Sequence, residues 1–224
     1  MKRTKQRGQM SESMAMAAVL TLAGGFQDAY SYNCRGKVFA NAQTGNIVLL
    51  GQNLAEGNWG AVFRYAVPLA SFFAGVYLAE RIRAHWKEDG RFHWRQPVLL
   101  IEMALLAAAG FLPQELNMGA NAVMSFACAM QVASFRRFGG MPSATTMCIG
   151  NMRSAAELLC RYHVTGEEQE KRKSIYYFLV LLIFAAGAAW GAVSSIHLGN
   201  RAIWIAAALL AAGFALMFVK EEER

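Results

Sequence analysis

The chain of 224 residues is poor in charge and lacks the common motifs of catalysis. Asp, Glu, Lys and Arg make up 17% of it, against about 25% in an average soluble domain, and this low share disfavours a soluble enzyme. His-Glu-x-x-His, Gly-x-Ser-x-Gly and Gly-x-x-x-x-Gly-Lys sequences are absent, and the four histidines stand singly. The sequence therefore predicts no enzyme, no catalytic residue, no cofactor and no metal site.

Cysteine is also scarce, and basic residues are not distributed as in a nucleic-acid-binding protein. Four cysteines, with no Cys-x-x-Cys pair among them, exclude a disulfide scaffold and are expected to be small buried hydrophobes. The net charge is +7, but Lys and Arg occur in blocks beside apolar runs rather than along one polar helix face. This pattern orients membrane proteins, so we expect a lipid bilayer and no nucleic acid as partner.

What the sequence does contain is long apolar runs, in keeping with its 55% share of hydrophobic residues. A helix needs about 20 such residues to cross a bilayer. Six runs qualify, at 13–33, 59–79, 97–112, 117–135, 174–196 and 202–219. The pattern predicts an all-α integral membrane protein with six transmembrane helices.

The basic residues predict how these helices cross the membrane. With a cytoplasmic N-terminus, only four of the 22 basic residues fall outside or near the outer boundary, namely Arg35, Lys37, Arg64 and Arg201. Because Lys and Arg collect on the cytoplasmic side, both termini are expected there. The predicted parts are a basic tail at 1–10, one transmembrane domain at 11–219 and a second tail at 220–224.

The two halves of the chain resemble each other in residue order. Gln27 matches Gln131, Gly45-Asn46 matches Gly150-Asn151, and Ala74-Gly75 matches Ala186-Gly187. These matches predict two repeats, at about 11–112 and 117–219. Each repeat has three spans, so the second must enter the membrane from the opposite side, giving an inverted repeat like those of many transporters. Similar composition of two apolar halves is the alternative explanation.

Each repeat also contains a polar Gly-Asn segment, at 38–55 and 141–160. These segments are too polar for a lipid-facing helix and too apolar for an ordinary loop, so each is predicted to be re-entrant or a half-helix. Thr44 and Asn46 are expected to cap a helix over about 47–54, and Thr145 or Thr146 the second one. Such helix starts attract anions or polar oxygen atoms; alternatively, Thr and Asn only satisfy turn backbone at the membrane surface.

Two carboxylates lie inside the predicted spans. An ionised group there costs roughly 2.5 to 3.5 kcal/mol on insertion scales. Asp28 is expected either to pair with Arg35, Lys37 or Arg64 or to couple transport to a proton or cation. Glu102 is expected to snorkel or to pair with an arginine of the basic inner loop.

Uncharged residues inside the spans point to packing and to a polar interior. Gln27 and Gln131 either line a cavity or form hydrogen bonds across helices. Gly187 and Gly191 form a small-x-x-x-small pattern, which predicts close helix packing.

Two motifs carry a family resemblance. The stretch 24–32, GGFQDAYSY, followed by 36–46, GKVFANAQTGN, resembles the YoaK-like (DUF1275, UPF0700) family of multi-pass membrane proteins. GNMRS at 150–154 resembles that family's later motif, with Ile149 where a threonine like Thr44 is expected. The resemblance covers about 11–219. It implies a bacterial inner-membrane protein of some six helices, with no established biochemical activity.

These observations favour a permease or channel for a small polar or anionic solute, with its site where the repeats meet. The alternative is a non-transporting scaffold or sensor that binds a partner through basic cytoplasmic loops. The oligomeric state stays open and includes a homo-oligomer. The candidate solute-binding residues are Gln27, Asp28, Tyr30, Thr44, Gly45, Asn46, Gln131, Gly150, Asn151 and Arg153.

Overall fold

A computed structural model describes residues 10–86, 94–143 and 145–218. The predicted tails, apart from Met10, and residues 87–93 of the basic loop between the second and third predicted spans lie outside the described residues. The α-helices are α1 (Met14–Cys34), α2 (Gln43–Ala55), α3 (Trp59–Trp86), α4 (Arg95–Ala109), α5 (Asn117–Ser134), α6 (Cys148–Thr165), α7 (Glu168–Leu198) and α8 (Ile203–Leu216). Strands β1 (Arg137–Phe138) and β2 (Met141–Pro142) form a small antiparallel hairpin between α5 and α6.

The predicted all-α class is confirmed, whereas six separate spans are not. Every predicted apolar run contains a described helix, but only two described helical stretches, 59–85 and 168–216, are long and apolar enough to cross a membrane. The second stretch joins α7 to α8 through a short 3-10 turn. The helices α4 and α8 have 15 and 14 residues, fewer than the usual 20. Buried polar side chains lower the apolarity of α1 and α5.

Both Gly-Asn segments contain a helix, but the predicted caps are wrong. The helix α2 begins at Gln43, several residues before the expected start, and α6 begins at Cys148. The residues just before them, Ala42 and Met147, make no side-chain capping bond. Thr44 lies within the first turn of α2, so it cannot cap that helix.

Glycines set the two closest helix contacts. A Cβ atom at Gly187 of α7 would meet the backbone oxygen of Leu22 in α1, and one at Gly191 would lie 2.5 Å from the oxygen of Phe26. The small-x-x-x-small prediction is therefore confirmed as a packing motif. A later residue of α7 thus contacts a later residue of α1, so the two helices run parallel. Gly75 of α3 meets the oxygen of Phe126 in α5 in the same way.

The remaining helices complete one bundle around α1 and α5. The helix α2 packs on α3 and α6 on α7, while α4 lies between α5 and α8. The helix α8 also packs on α1, where Gly213 lies against Met16 and Val19. The start of α1 and the end of α8 therefore lie at the same end of the bundle.

Polar residues are unusually common inside the bundle, and large apolar residues outside it. Fully or nearly fully buried polar side chains include Gln27, Asn46, Glu102, Asn121 and Gln131. The exposed large apolar side chains include Phe63, Phe73, Leu182, Val193 and Ile196. Many exposed large apolar side chains are typical of a surface that contacts lipid or another protein.

Candidate functional site

The two polar segments meet at the midpoint of α1. Gly24 is the eleventh of the 21 residues of α1, which spans roughly 31 Å at 1.5 Å per residue. Its backbone oxygen accepts a hydrogen bond from Asn41 Nδ2, just before α2, at 3.1 Å. A Cβ atom at Gly24 would lie 2.5 Å from Thr146 Cγ2, just before α6. Glycine at this position lets the segment before α6 approach α1 where the segment before α2 is already bound.

Asp28 holds the segment that leads into α2. Its side chain is only 5% exposed, and its Oδ1 atom accepts hydrogen bonds from the backbone N–H groups of Asn41 at 2.6 Å and Ala42 at 3.4 Å. The expected pairing with Arg35, Lys37 or Arg64 is wrong. The carboxylate instead occupies the positive end of α2, so the protein itself supplies the anion that this helix start was expected to attract.

Removing this carboxylate is expected to loosen the start of α2. In Asp28→Ala, backbone hydrogen exchange over 38–46 should accelerate by roughly tenfold or more, because a hydrogen bond to a charged group contributes about 1.5–3 kcal/mol. Hydrogen-exchange mass spectrometry measures this directly. Asp28→Asn keeps one acceptor oxygen and should give a smaller change. Glu157→Ala, on the exposed face of α6, is the control. Unchanged exchange in Asp28→Ala would contradict the anchoring role.

Asn46 closes the same segment from the other side. Its Oδ1 atom accepts from Phe39 N at 3.0 Å, and its Nδ2 atom donates to Phe39 O at 2.8 Å and to Gln43 Oε1 at 2.9 Å. Gly45 lies against the Phe39 ring, and a Cβ there would approach the ring to 3.0 Å. The Asn46 side chain therefore uses its amide in hydrogen bonds within this segment. Thr44 is exposed on the surface of α2.

Beside this junction lies the central polar cluster, which we define as Gln27, Glu102, Cys128, Gln131 and Thr145. Cys128 Sγ donates to Gln27 Oε1 at 2.7 Å, across α1 and α5. With its amide nitrogen turned to Glu102, Gln131 donates to the two carboxylate oxygens at 2.7 and 3.2 Å and accepts from Thr145 Oγ1 at 3.2 Å. The Gln27 amide also interacts with Glu102. The two glutamines matched between the repeats therefore flank one carboxylate.

Glu102 does not snorkel, so that expectation is wrong. Among the described arginines of the inner loop, none pairs with Glu102, and Arg91 of that loop lies outside the described residues. The Glu102 side chain is fully buried. The arginine that begins α4, Arg95, instead binds Glu12 Oε1 at 2.7 Å and the Ser134 backbone oxygen at 2.9 Å. A buried carboxylate between two amides is the least expected feature of the interior.

In the second repeat, the predicted residues are dispersed. Asn151 is buried, whereas Gly150 is exposed. Arg153 pairs with Glu157 of the same helix at 3.4 Å, and its side chain is 77% exposed. Of the ten candidate residues, the structure brings Gln27, Asp28 and Gln131 into the centre.

Tyr30 belongs to a separate network at the end of α1, built on Arg35. The Arg35 side chain is fully buried. It donates to the Tyr30 hydroxyl at 2.9 Å, to Asn117 Oδ1 at 3.1 Å and to three backbone oxygens that follow α4 or end it, those of Ala109, Leu112 and Pro113. The Tyr30 hydroxyl donates in turn to the Asn200 backbone oxygen at 2.9 Å. Arg35 therefore binds the negative end of α4.

Sequence reasoning did not place Glu102, Cys128, Asn41, Thr145 or Arg35 in a functional site. Glu102 carried a usable signal, since a carboxylate within an apolar run is rare and usually functional. The four cysteines are free thiols. Cys128 is buried as expected, but Cys34 and Cys148 are half-buried and Cys160 is exposed, so the expectation of buried cysteines is wrong for these three. In the part of the chain that the structure describes, no three His, Cys, Asp or Glu side chains group to hold a metal ion.

Comparison with known proteins gives a family and no close relative. No curated protein matches the chain, and no solved structure matches it. The family model described as "Protein of unknown function (DUF1275)" matches residues 16–216. This range runs from the first turn of α1 to the last residue of α8 and includes all the described α-helices. The chain therefore belongs to the DUF1275 family.

Proposed function

We propose that the chain is a multi-pass inner-membrane permease or channel for a small polar solute. The observation that carries this proposal is the meeting of two polar helix starts at Gly24, beside the buried central polar cluster. Discontinuous helices that begin at mid-depth are typical of transporter substrate sites. Two buried polar atoms of this region, Gln27 Nε2 and Asn41 Oδ1, have no hydrogen-bond partner of good geometry among the described residues, and such atoms favour water or a polar ligand.

The distribution of polarity supports a membrane location. The two long apolar stretches, 59–85 and 168–216, bury only 28% of their most apolar windows inside the bundle. Their exposed apolar side chains suit contact with lipid, whereas buried polar side chains suit a bundle interior. The short helix α2 exposes Ile47 and Val48 on its surface, as a re-entrant helix beside lipid would.

Helix packing supports two inverted repeats. Gly75 meets the backbone oxygen of Phe126, and Gly187 meets that of Leu22. The sequence alignment of the repeats makes Gly75 equivalent to Gly187 and Leu22 equivalent to Phe126. Equivalent glycines therefore meet equivalent carbonyls, in the pairs α3 with α5 and α7 with α1. We infer a pseudo-two-fold axis between the repeats, near Gln27 and Gln131.

Charge placement supports cytoplasmic termini. Arg95 binds Glu12 next to the start of α1, and Arg136 binds Glu80 near the end of α3. The opposite end of the bundle carries Arg35, which is bound to carbonyls, and Arg201. Since basic residues collect on the cytoplasmic side, the end that carries Met14 is the inner one.

The interior favours a neutral or cationic solute over an anion. Asp28 already occupies the positive end of α2, and Glu102 adds a second carboxylate at the centre. A like charge brought close to these groups in a poorly hydrated interior would be repelled strongly. We therefore retain the polar solute of the sequence-based hypothesis and disfavour the anionic one.

Uptake into proteoliposomes tests the proposal. We expect flux of at least one probe from a panel of urea, glycerol, guanidinium, choline, formate and nitrate. Gln27→Leu and Gln131→Leu should each lower that flux roughly ten- to a hundredfold, because an unsatisfied buried polar partner costs about 1–3 kcal/mol.

The matched control is Gln52→Leu, which changes an exposed glutamine of α2 that binds only Glu56 among the described residues, at 3.1 Å. Its flux should equal that of the wild type. Equal losses in all three variants would point to general damage and contradict a central site. No flux for any probe would favour the scaffold or sensor.

A further inference from the structure

We propose that Glu102 is a proton-binding residue, and that a proton and a small organic cation occupy the central polar cluster in exchange for one another. This inference rests on the proposed function and names its coupling ion and solute class. It makes the protein a proton-coupled exchanger in which one carboxylate serves both cargoes.

The position of Glu102 is the first argument. It is the eighth of the 15 residues of α4, and its side chain is fully buried. Among the residues that the structure describes, its carboxylate forms no ion pair: Arg95 is bound to Glu12 and Ser134, and Arg35 to the end of α4. A buried carboxylate without a countercharge must bind a proton or a cation to be neutral.

The hydrogen bonds of Gln131 fit both protonation states of Glu102. When Glu102 is ionised, the amide nitrogen donates to it, and the amide oxygen accepts from Thr145 Oγ1 at 3.2 Å. If Glu102 were protonated, the reversed amide would accept from the carboxyl group, and its nitrogen would donate to Thr145 Oγ1. Rotation of one amide therefore satisfies either state, since an amide has both donors and acceptors.

Gln27 completes the site from the other repeat. Its side chain is fully buried, and its Nε2 atom faces the cluster without a hydrogen-bond partner of good geometry among the described groups. Asn41 contributes a buried acceptor oxygen, which also lacks a partner in the described part of the chain. A cation with N–H or O–H donors can use both this oxygen and the Glu102 carboxylate.

The ionisable groups on the elements around Glu102 favour binding of a cation. The helix α1 contributes Asp28, α5 contributes the Cys128 thiol, and the described helix α8, residues 203–216, has no titratable side chain. The segment before α6 contributes the neutral Thr145. Among the described residues, the ionisable groups beside the cluster, Asp28 and the Cys128 thiol, are therefore neutral or negative.

The exchange step balances without a further reactant. The O–H bond of protonated Glu102 breaks, the carboxylate keeps the electron pair, and the proton leaves to water on the side that is open. The organic cation then pairs with the carboxylate. The reverse step on the other side of the membrane returns a proton to Glu102 and releases the cation.

The first experiment detects the proton itself, without transport. Infrared difference spectroscopy of the full-length protein in lipid, titrated with pH, should show the carbonyl band of a protonated carboxyl group that disappears as pH rises. Glu102→Gln should lack this band, and Asp28→Asn should keep it. A band that survives in Glu102→Gln but is lost in Asp28→Asn would overturn the assignment.

The second experiment measures exchange in proteoliposomes that contain a pH-sensitive dye and an acidic interior. External guanidinium or choline should release internal protons, and formate should not. In Glu102→Gln, which resembles the protonated side chain, this release should slow by about tenfold or more, and in Gln52→Leu it should be unchanged.

Together, the infrared and proteoliposome experiments distinguish failure of the proposed role of Glu102 from failure of the proposed function. Unchanged proton release in Glu102→Gln overturns the role of Glu102 even if transport is real. No response to either cation, with urea or glycerol still transported, overturns cation exchange and leaves the proposed function intact. No flux of any probe overturns the proposed function and the coupling together, whereas the infrared band still reports whether Glu102 binds a proton.

Discussion

Arg35→Met is expected to be among the most destabilising single substitutions in this chain. Arg35 is fully buried and donates hydrogen bonds to five different residues, three of them through backbone oxygens of α4 and the turn after it. Methionine fills similar space but removes the charged donor from those oxygens. Each then keeps one described donor at the negative end of α4, namely Leu112 N, Asn200 Nδ2 or Leu116 N. A hydrogen bond to a charged group contributes about 1.5–3 kcal/mol, and several such bonds are lost together, so the unfolding midpoint in detergent should fall by on the order of 10 °C.

Two further variants show whether the hydrogen bonds or the charge matter. Arg35→Lys keeps the charge but has no planar fork of donors, so it should recover only part of the lost stability. Arg64→Met, at an exposed arginine of α3, should stay within about 0.5 kcal/mol of the wild type. If Arg35→Met is as stable as the wild type, the cost of burying the guanidinium equals the gain from its hydrogen bonds, and its role as the cap of α4 is refuted.

Six of the eight described α-helices could be predicted from the sequence because each one coincides with an apolar run, whereas α2 and α6 lie in the two polar Gly-Asn segments. Their exact starts could not, because side-chain bonds across a loop decide them. Asn46 was expected to cap α2, but its amide turns back to bind Phe39 at 3.0 and 2.8 Å. With the preceding segment held in this way, α2 begins at Gln43 without any side-chain cap. Nothing local to the Thr-Gly-Asn motif distinguishes these two uses of the same asparagine.

The sequence predicted the place of the two glutamines in the candidate site, but it did not predict the partners of the two carboxylates. Gln27 and Gln131 stood out because they match between the repeats, and they do lie on one cluster. Asp28 was expected to pair with Arg35, Lys37 or Arg64 or to couple to a proton or cation, but the returning loop brings the backbone N–H groups of Asn41 and Ala42 to its carboxylate. Glu102 was judged from its distance to the inner loop. Its burial depends on how α4 packs between α5 and α8, which one helix alone does not reveal.

Gly187→Ala is expected to force α1 and α7 apart. An added Cβ atom would meet the backbone oxygen of Leu22, and a backbone atom cannot rotate away as a flexible side chain can. Overpacking of this kind costs about 1–3 kcal/mol, in addition to the loss of the close contact that favours helix association in membranes. Thermal unfolding in detergent, monitored by size-exclusion chromatography, measures this loss of stability.

The same experiment on Gly75→Ala tests the repeat as well as the contact. Gly75 meets the backbone oxygen of Phe126, the repeat equivalent of Leu22, so the two alanine variants should lose similar stability. Gly119→Ala is the matched control: it lies in α5 with nothing within 4 Å of the added atom, and alanine there should be neutral or gain up to about 1 kcal/mol.

If only one of the two buried glycines is sensitive, the α1–α7 and α3–α5 contacts are not equivalent, and the inferred two-fold relation between the halves fails. If neither is sensitive, the helices do not approach as closely as the glycines imply, and the meeting of α2 and α6 at Gly24 loses the rigid frame on which the proposed solute site depends.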